Sequence, residues 1–123
     1  MHWVLDALMC SGAFHSTGES PLTNLIIKGR HFLINTYVCV QAVKACPKNI
    51  RLNSTLLFLF KFQSSKVICE DLWEIVSGVV SLEQFIKIYE LATEGDHDCL
   101  VIDTLCDKSK RFRKNFDNII KIQ

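Results

Sequence analysis

The chain has 123 residues, of which 49% are hydrophobic and 22% are charged, and its formal net charge at pH 7 is +1. This length suits a single domain, residues 1–123, and the apolar composition excludes an intrinsically disordered chain. A net charge of +1 is too small to indicate nucleic-acid binding by the chain as a whole, so such a role must rest on a local patch.

Targeting signals and thiols indicate the compartment. No apolar run reaches the length of a bilayer span, so we expect no membrane segment. The first residues lack a basic stretch and carry Asp6 inside their apolar run, which argues against a signal peptide. The six cysteines form no C-x-x-C pair, and Cys39, Cys69 and Cys99 lie in apolar segments where cysteine packs as a small hydrophobe. We therefore expect reduced thiols in a cytoplasmic or nuclear protein that is not secreted.

The first third of the chain predicts two strands and a helix. Residues 3–5, with or without His2, read as a strand that ends at Asp6, and Pro21 begins a helix after Ser20 as N-cap. Gly29 is expected at the C′ position of that helix. The uninterrupted apolar run of residues 32–40 predicts a buried parallel strand from about Leu33 to Val40.

The remainder predicts two further strands and two long helices. After a short irregular or helical piece at residues 49–53, residues 55–62 predict a strand buried on both faces. Helical spacing of apolar residues predicts helices from Ser65 to about Gly78 and from Ser81, with a capping box, to an αL cap at Gly95. Residues 99–102 predict a short strand, and 107–123 form a basic C-terminal segment. The alternation of strands and helices places the chain in the α/β class.

Two polar side chains follow predicted strands at the edge where open α/β sheets bind ligands. Asp6 is placed to hold the Mg²⁺ of Mg-ATP, and the Gln41 amide is placed to bind a γ-phosphate and its attacking water. Each also has a plainer interpretation as the solvated polar end of an ordinary strand.

Basic residues supply two further candidates. Arg30 and Arg51 lie in predicted loops, where a guanidinium suits phosphate because its planar fork donates two parallel bonds, although each reads equally well as a solvated loop arginine. The basic segment with two interleaved phenylalanines could follow a DNA backbone or form a solvated surface element. Its candidate DNA-binding residues are Lys108, Lys110, Arg111, Arg113 and Lys114.

Taken in order, four segments resemble one family. They are HWVLDALM, IIKGRHFLINTYVCVQ, CPKNIRLNSTLLFLFK and CLVIDTLCDKSKRFRKNFDNII. Together they resemble the poxvirus-type genome-packaging ATPases of large DNA viruses and of Polinton/Maverick elements, in the FtsK–HerA branch of P-loop motors. The resemblance runs from Trp3 to about Ile120, and each motif alone is weak.

This resemblance implies a RecA-like sheet with flanking helices, ATP hydrolysis with Mg²⁺, a ring homo-oligomer and translocation of double-stranded DNA. Asp6 then matches the Walker B aspartate that binds the metal of the nucleotide, and Gln41 matches the sensor glutamine. Arg30 lies in the Gly-Arg-His motif and is the candidate phosphate-stabilising group, while Arg51 matches the arginine of the following turn.

Two departures from the family modify that expectation. The 123 residues contain no G-x-x-x-x-G-K-[ST] loop, which in the family precedes the Asp6 strand, and Ala7 occupies the position of the second acid. We therefore expect the C-terminal part of an ATPase core, from the Walker B strand onward. Such a part would bind neither ATP nor Mg²⁺ alone.

Three hypotheses remain open at this stage. The first is a fragment or decayed copy of a packaging ATPase that does not hydrolyse ATP by itself. The second is a non-catalytic module that binds DNA or intact ATPase subunits. The third is an unrelated small α/β domain of flavodoxin-like type. A motor fragment should expose apolar surface, whereas an unrelated domain should be closed and monomeric.

Overall fold

The computed structural model describes residues 2–5 and 21–122. The chain falls into two compact units, Met1–Asn53 and Ser54–Gln123. The structure is mixed α/β, in agreement with the predicted class. Whether the two units belong to one domain stays a prediction, and each unit is described by itself below.

The first unit contains a parallel pair of strands and short helices. Strand β1 is His2–Leu5 and strand β2 is Asn35–Val38, and they pair in parallel from His2 opposite Asn35 to Leu5 opposite Val38. Both strands therefore end at the same edge. The described helical elements of this unit are helix α1 at Pro21–Gly29, a 3₁₀ turn at Arg30–Phe32, another at Val43–Ala45, and helix α2 at Lys48–Asn53.

The end of α1 differs from the sequence prediction. The residue with a left-handed backbone is Leu33, with φ of 57°, and Gly29 lies inside the helix. The Ile34 N–H donates to the Gly29 carbonyl at 3.0 Å, which is the long bond of a Schellman motif. The prediction of Gly29 at C′ is therefore wrong by four residues, because the 3₁₀ turn carries the helix on before the chain reverses.

Strand β2 is shorter and more exposed than predicted. The expected strand from Leu33 to Val40 is reduced to Asn35–Val38, although its parallel pairing agrees with the prediction. Phe32 is 73% exposed and Leu33 is 86% exposed, so the run is not a buried strand. Cys39, expected to pack as a small hydrophobe, is exposed as well. Among the described residues this sheet has only two strands, so β2 is an edge strand and its side chains are covered less than those of a central strand.

The second unit is a four-stranded antiparallel sheet with two helices. Its strands are β3 (Leu56–Leu59), β4 (Leu100–Asp103), β5 (Phe112–Lys114) and β6 (Asn118–Ile119), in the spatial order β3-β4-β5-β6. Helices α3 (Ser65–Val76) and α4 (Leu82–Ala92) connect β3 to β4, and a 3₁₀ turn at Lys108–Lys110 precedes β5. Every neighbouring pair in this sheet is antiparallel.

The two faces of this sheet differ in burial. On one face the Phe112 ring meets the Phe85 ring of α4 at a centroid distance of 6.3 Å. On the other face, Leu56, Phe58 and Phe60 are exposed, with 41% of Phe58 accessible. The prediction that residues 55–62 are buried on both faces is therefore wrong. Strand β3 lies at a sheet edge, and alternate side chains along it are left uncovered.

The core between the helices and the sheet is apolar and tightly enclosed. Cys69 and Val76 of α3, and Phe85 and Ala92 of α4, have no accessible surface. Burial raises the pKa of the Cys69 thiol to about 12, so this cysteine is a packing residue and not a nucleophile. In the described part of the chain, the cysteines at 39, 46, 69, 99 and 106 are all free thiols.

Both long helices begin as the sequence predicts, and α4 ends differently. Ser64 caps α3, and Ser81 with Gln84 forms the predicted capping box of α4. Helix α4 stops at Ala92, and Gly95 does not serve as an αL cap. A Cβ atom at Gly95 would lie 2.5 Å from an Asp98 carboxylate oxygen, so a larger residue there would have to displace the Asp98 side chain.

The Tyr89 hydroxyl joins α4 to the chain that leaves β3. It donates to the Phe60 carbonyl at 2.8 Å and accepts from the Phe62 N–H at 2.9 Å. Tyr89 itself is buried, and burial raises the pKa of its phenol. One side chain therefore satisfies two backbone groups at the point where the chain turns from sheet to helix.

We expect Tyr89→Phe to lower the free energy of unfolding by about 1 to 3 kcal/mol, because two backbone groups lose their partner while the ring is kept. Urea denaturation followed by circular dichroism measures this. Tyr37→Phe, on a half-exposed ring in the first unit, is the matched control. An equal decrease in the free energy of unfolding for the two substitutions would contradict the structural role assigned to the Tyr89 hydroxyl.

Candidate nucleic-acid interface

An open groove of about 570 Å³ lies in the second unit, beside the 3₁₀ turn and the last strand. Its lining combines three lysines and a serine with three aliphatic side chains. The lining residues are Val79, Lys108, Ser109, Lys110, Ile119, Lys121 and Ile122. None of these described lining residues is acidic, and three of them carry a positive charge.

The cations of this lysine groove come from two separate segments. Lys108 and Lys110 are exposed on the turn before β5, and Lys121 is exposed after β6. Antiparallel pairing of β5 with β6 returns the chain towards the turn, which places Lys121 with the other two. Sequence reasoning missed Lys121. Its one signal was a lysine within the otherwise apolar tip of residues 118–122.

Arg111, predicted to contact DNA, is directed inward. Its Nη2 atom donates to the Thr104 carbonyl at 3.3 Å and to the Cys106 carbonyl at 3.2 Å. Its Nε atom is buried and finds no acceptor among the described residues. The guanidinium therefore holds the loop after β4 and is not presented to a ligand.

Arg113, also predicted to contact DNA, is paired with Asp103 across the sheet. Its Nη2 atom lies 2.9 Å from the Asp103 carboxylate and 3.0 Å from the Cys106 sulfur. The Cys106 thiol donates to the same carboxylate at 3.0 Å. This bond, followed by backbone N–H groups and the Arg113 charge, holds the pKa of Asp103 below its ordinary value, and the carboxylate raises the pKa of Cys106. The thiol is therefore a hydrogen-bond donor within the loop and not an activated nucleophile.

Lys114, also predicted to contact DNA, forms an ion pair within the second unit. Its Nζ atom lies 3.1 Å from Asp98, whose other oxygen accepts from the Asn115 amide at 3.1 Å. Asn115 has a left-handed backbone with φ of 55° and accepts from the Cys99 N–H. The Asn115 bond and then Lys114 hold the pKa of Asp98 below its ordinary value. This network closes the end of β5 onto the start of β4.

The basic segment therefore forms an exposed turn and the last two strands of the sheet, and is not a free tail. Phe112, at its centre, has no accessible surface. Of the five candidate residues, the structure leaves Lys108 and Lys110 exposed and engages Arg111, Arg113 and Lys114 in contacts within the unit. Binding of DNA by any of the five stays a prediction.

Of the four predicted nucleotide-site residues, the structure describes the side chains of Gln41 and Arg51. Asp6 lies outside the described residues, and only the backbone of Arg30 is described, at the start of a 3₁₀ turn. Gln41 is exposed three residues beyond the end of β2. Arg51 lies in the last turn of α2 and donates from Nε to the Cys46 carbonyl at 3.1 Å, so it supports its own loop.

The described ranges contain no candidate metal site and no candidate membrane span. Residues 2–5 and 21–122 contain no group of three or more histidine, cysteine, aspartate or glutamate side chains that could hold a metal ion. Within the same ranges, no helix has the length and apolar character needed to cross a bilayer.

Comparison with known proteins adds no relative: no family model, no curated protein and no solved structure matches this chain. The resemblance to packaging ATPases thus depends on its motifs alone.

We expect acid to destabilise the second unit. Because the pKa values of Asp98 and Asp103 are lowered in the folded state, both carboxylates favour folding above the ordinary aspartate pKa of about 4. That contribution is lost as the pH falls below 4 and both groups take up protons. Urea denaturation between pH 7 and pH 2.5 should show the free energy of unfolding falling most steeply in this range.

The double variant Asp98→Asn, Asp103→Asn should flatten this acid slope. Asp117→Asn, an exposed aspartate in the turn between β5 and β6, is the control and should leave the slope unchanged. A double variant with the same slope as the parent would contradict the assignment.

Proposed function

We propose that this chain is a non-catalytic module that binds the phosphate backbone of double-stranded DNA through the lysine groove. The observation that supports it is that Lys108, Lys110 and Lys121 line one groove, with no acidic side chain among its described lining residues. Lysine is a flexible point charge that attracts phosphate without fixing a base, so the binding is independent of sequence.

The number of lysines in the groove sets the expected strength of DNA binding. Three neutralised phosphates release counterions with a slope of about −2.7 in a plot of log K against log salt. The affinity then falls about 40-fold between 50 and 200 mM salt. Such a site is weak in one copy. In the ring oligomer that the family resemblance implies, several copies acting on one duplex would raise the affinity through effective concentration.

An exposed apolar face is consistent with assembly. Leu56 and Phe58 lie on β3, Phe60 directly follows it, and all three are exposed; the Phe58 ring packs against the Phe116 ring at 5.7 Å. Exposed apolar side chains that are close together on a surface favour contact with another protein. It favours a chain that works with partner subunits over an unrelated closed domain.

Salt-dependent retention on double-stranded DNA tests the groove. The parent should show a slope of about −2.7, whereas an interface of the five residues predicted from sequence would show about −4.5. Each single change Lys108→Gln, Lys110→Gln or Lys121→Gln should reduce the slope by about 0.9, and the triple variant should lose retention at 50 mM salt.

Lys87→Gln is the matched control for these variants, since Lys87 is an exposed lysine on α4 away from the groove lining. It should bind as the parent does. Absence of retention by the parent at low salt, or equal loss in the Lys87 variant, would overturn the proposal. Arg111→Gln should lower the unfolding midpoint, because it removes two hydrogen bonds to the loop after β4. It should leave the salt slope of DNA retention unchanged, because Arg111 does not line the groove.

A second candidate function, nucleotide binding, is favoured by the parallel pairing of β1 with β2. Leu5 and Val38 end these strands side by side, so the chain continues towards Asp6 and towards Gln41 from the same sheet edge. This is the edge at which open α/β sheets bind nucleotides. Together with the motif resemblance, it supports a family relation to P-loop packaging ATPases and a partial RecA-like arrangement in the first unit.

We expect no ATP turnover by the purified 123-residue chain. Ala7 cannot polarise water, and no G-x-x-x-x-G-K-[ST] loop occurs in these residues to hold the phosphates. Phosphate release measured with Mg-ATP checks this. Clear Mg²⁺-dependent hydrolysis that is lost in Asp6→Ala and in Gln41→Ala would replace the non-catalytic proposal with an enzymatic one.

A further inference from the structure

Ser109 lies among the cations of the lysine groove. It is exposed, at the middle of the three-residue 3₁₀ turn between Lys108 and Lys110, and it lines the same groove as Lys121. Any charge placed on its hydroxyl would therefore lie among the three lysines that the proposed function uses.

The other described serines have different surroundings. Ser64 and Ser81 use their hydroxyls as helix N-caps. The Ser65 hydroxyl donates to Glu90 at 2.8 Å, and the Ser77 hydroxyl donates to the Glu74 carbonyl. Ser54 also has a partner. Ser109 is thus distinguished among them by an exposed position with a lysine on either side.

We propose that Ser109 is a phosphorylation site for a basophilic serine kinase, and that phosphoserine at this position closes the lysine groove to DNA. In the transfer, the Ser109 oxygen forms a bond to the γ-phosphorus of ATP while the bond to the β,γ-bridging oxygen breaks. ADP leaves, and the hydroxyl proton passes to the base of the kinase. Mg-ATP and the kinase are the co-reactants, and the DNA consequence depends on the proposed function.

Charge explains the effect of the modification. A phosphoserine carries a charge of about −1.5 to −2 at pH 7 and three acceptor oxygens. Placed beside Lys108, Lys110 and Lys121, it leaves a net charge of about +1 in the groove. The phosphate also competes with an external polyanion for the lysine ammonium groups, which then meet DNA with most of their charge already compensated.

The local structure limits which residues around Ser109 a kinase can contact. The 3₁₀ turn is closed by the Lys110 N–H donating to the Asp107 carbonyl at 2.9 Å, and the Lys110 carbonyl accepts from Arg113 Nε at 3.2 Å. Beyond it, Phe112 is fully buried and cannot be extracted without unfolding the sheet. Recognition is therefore confined to the exposed turn, whose accessible cations are Lys108 and Lys110, and this favours a kinase that selects basic neighbours.

Treatment of the folded chain with protein kinase C and Mg-ATP, followed by mass spectrometry, tests the modification. Phosphate should be found at Ser109, should disappear in Ser109→Ala and should persist in Ser65→Ala, the control serine beside Glu90. Complete modification of a basic control peptide with no phosphate at Ser109 would overturn the assignment.

The effect on the groove is measured separately. The phosphorylated chain should show a salt slope for DNA retention of about −0.9 in place of −2.7, with at least about tenfold weaker binding at 50 mM salt. Unchanged retention after full phosphorylation would overturn the regulatory part.

A second readout does not depend on DNA. In a ³¹P NMR titration, the groove lysines should hold the second pKa of phosphoserine 109 below about 6, and Lys108→Gln with Lys121→Gln should raise it. A pKa that is unchanged by these substitutions would show that the phosphate does not engage the groove. If the unmodified chain fails to bind DNA, the proposed function fails while this readout and the mass spectrum still decide the modification.

Discussion

The packing of Phe112 against Phe85 determines how the basic end of the chain is used. Phe112 has no accessible surface, and its ring meets that of Phe85 on the helix side of the sheet. Because side chains alternate along a strand, Arg113 must then point to the opposite face, where it reaches Asp103. A shift of β5 by one residue would bury a guanidinium and expose the phenylalanine.

Burial of Phe112 contributes more free energy to the register of β5 than the ion pairs of its neighbours do. Burial of one phenylalanine side chain contributes about 1.5 to 3 kcal/mol, whereas an exposed or half-exposed ion pair contributes about 0 to 1 kcal/mol. The apolar contact therefore sets the register, and the cations adapt to it. Arg111, Arg113 and Lys114 find partners because the register places them near carbonyls or carboxylates. The two lysines on the preceding turn lie beyond the sheet and remain exposed.

The elements with long, regular patterns were predictable from sequence, and the antiparallel strand pairing of the second unit was not. Helices α3 and α4 follow a 3.6-residue apolar spacing, and the capping box at Ser81 was confirmed because it depends on residues three apart in the chain. Strand β5 has only three residues, and its alternation of arginine and phenylalanine is hidden within a run of charges. Its identity as a strand depends on pairing with β4, about ten residues earlier, which local patterns do not encode. The lysine groove was missed for the same reason, since Lys121 joins it only through the pairing of β5 with β6.

The residues that support the two candidate functions lie in different units of the chain. The motifs that resemble a nucleotide edge follow β1 and β2 in the first unit, whose parallel pairing suits such an edge. The lysine groove is built entirely from the second unit, whose antiparallel sheet is held by Tyr89, Phe112 and the networks of Asp98 and Asp103. No described contact of the groove depends on a residue of the nucleotide motifs. The proposed DNA binding by the second unit therefore does not require nucleotide chemistry in the first.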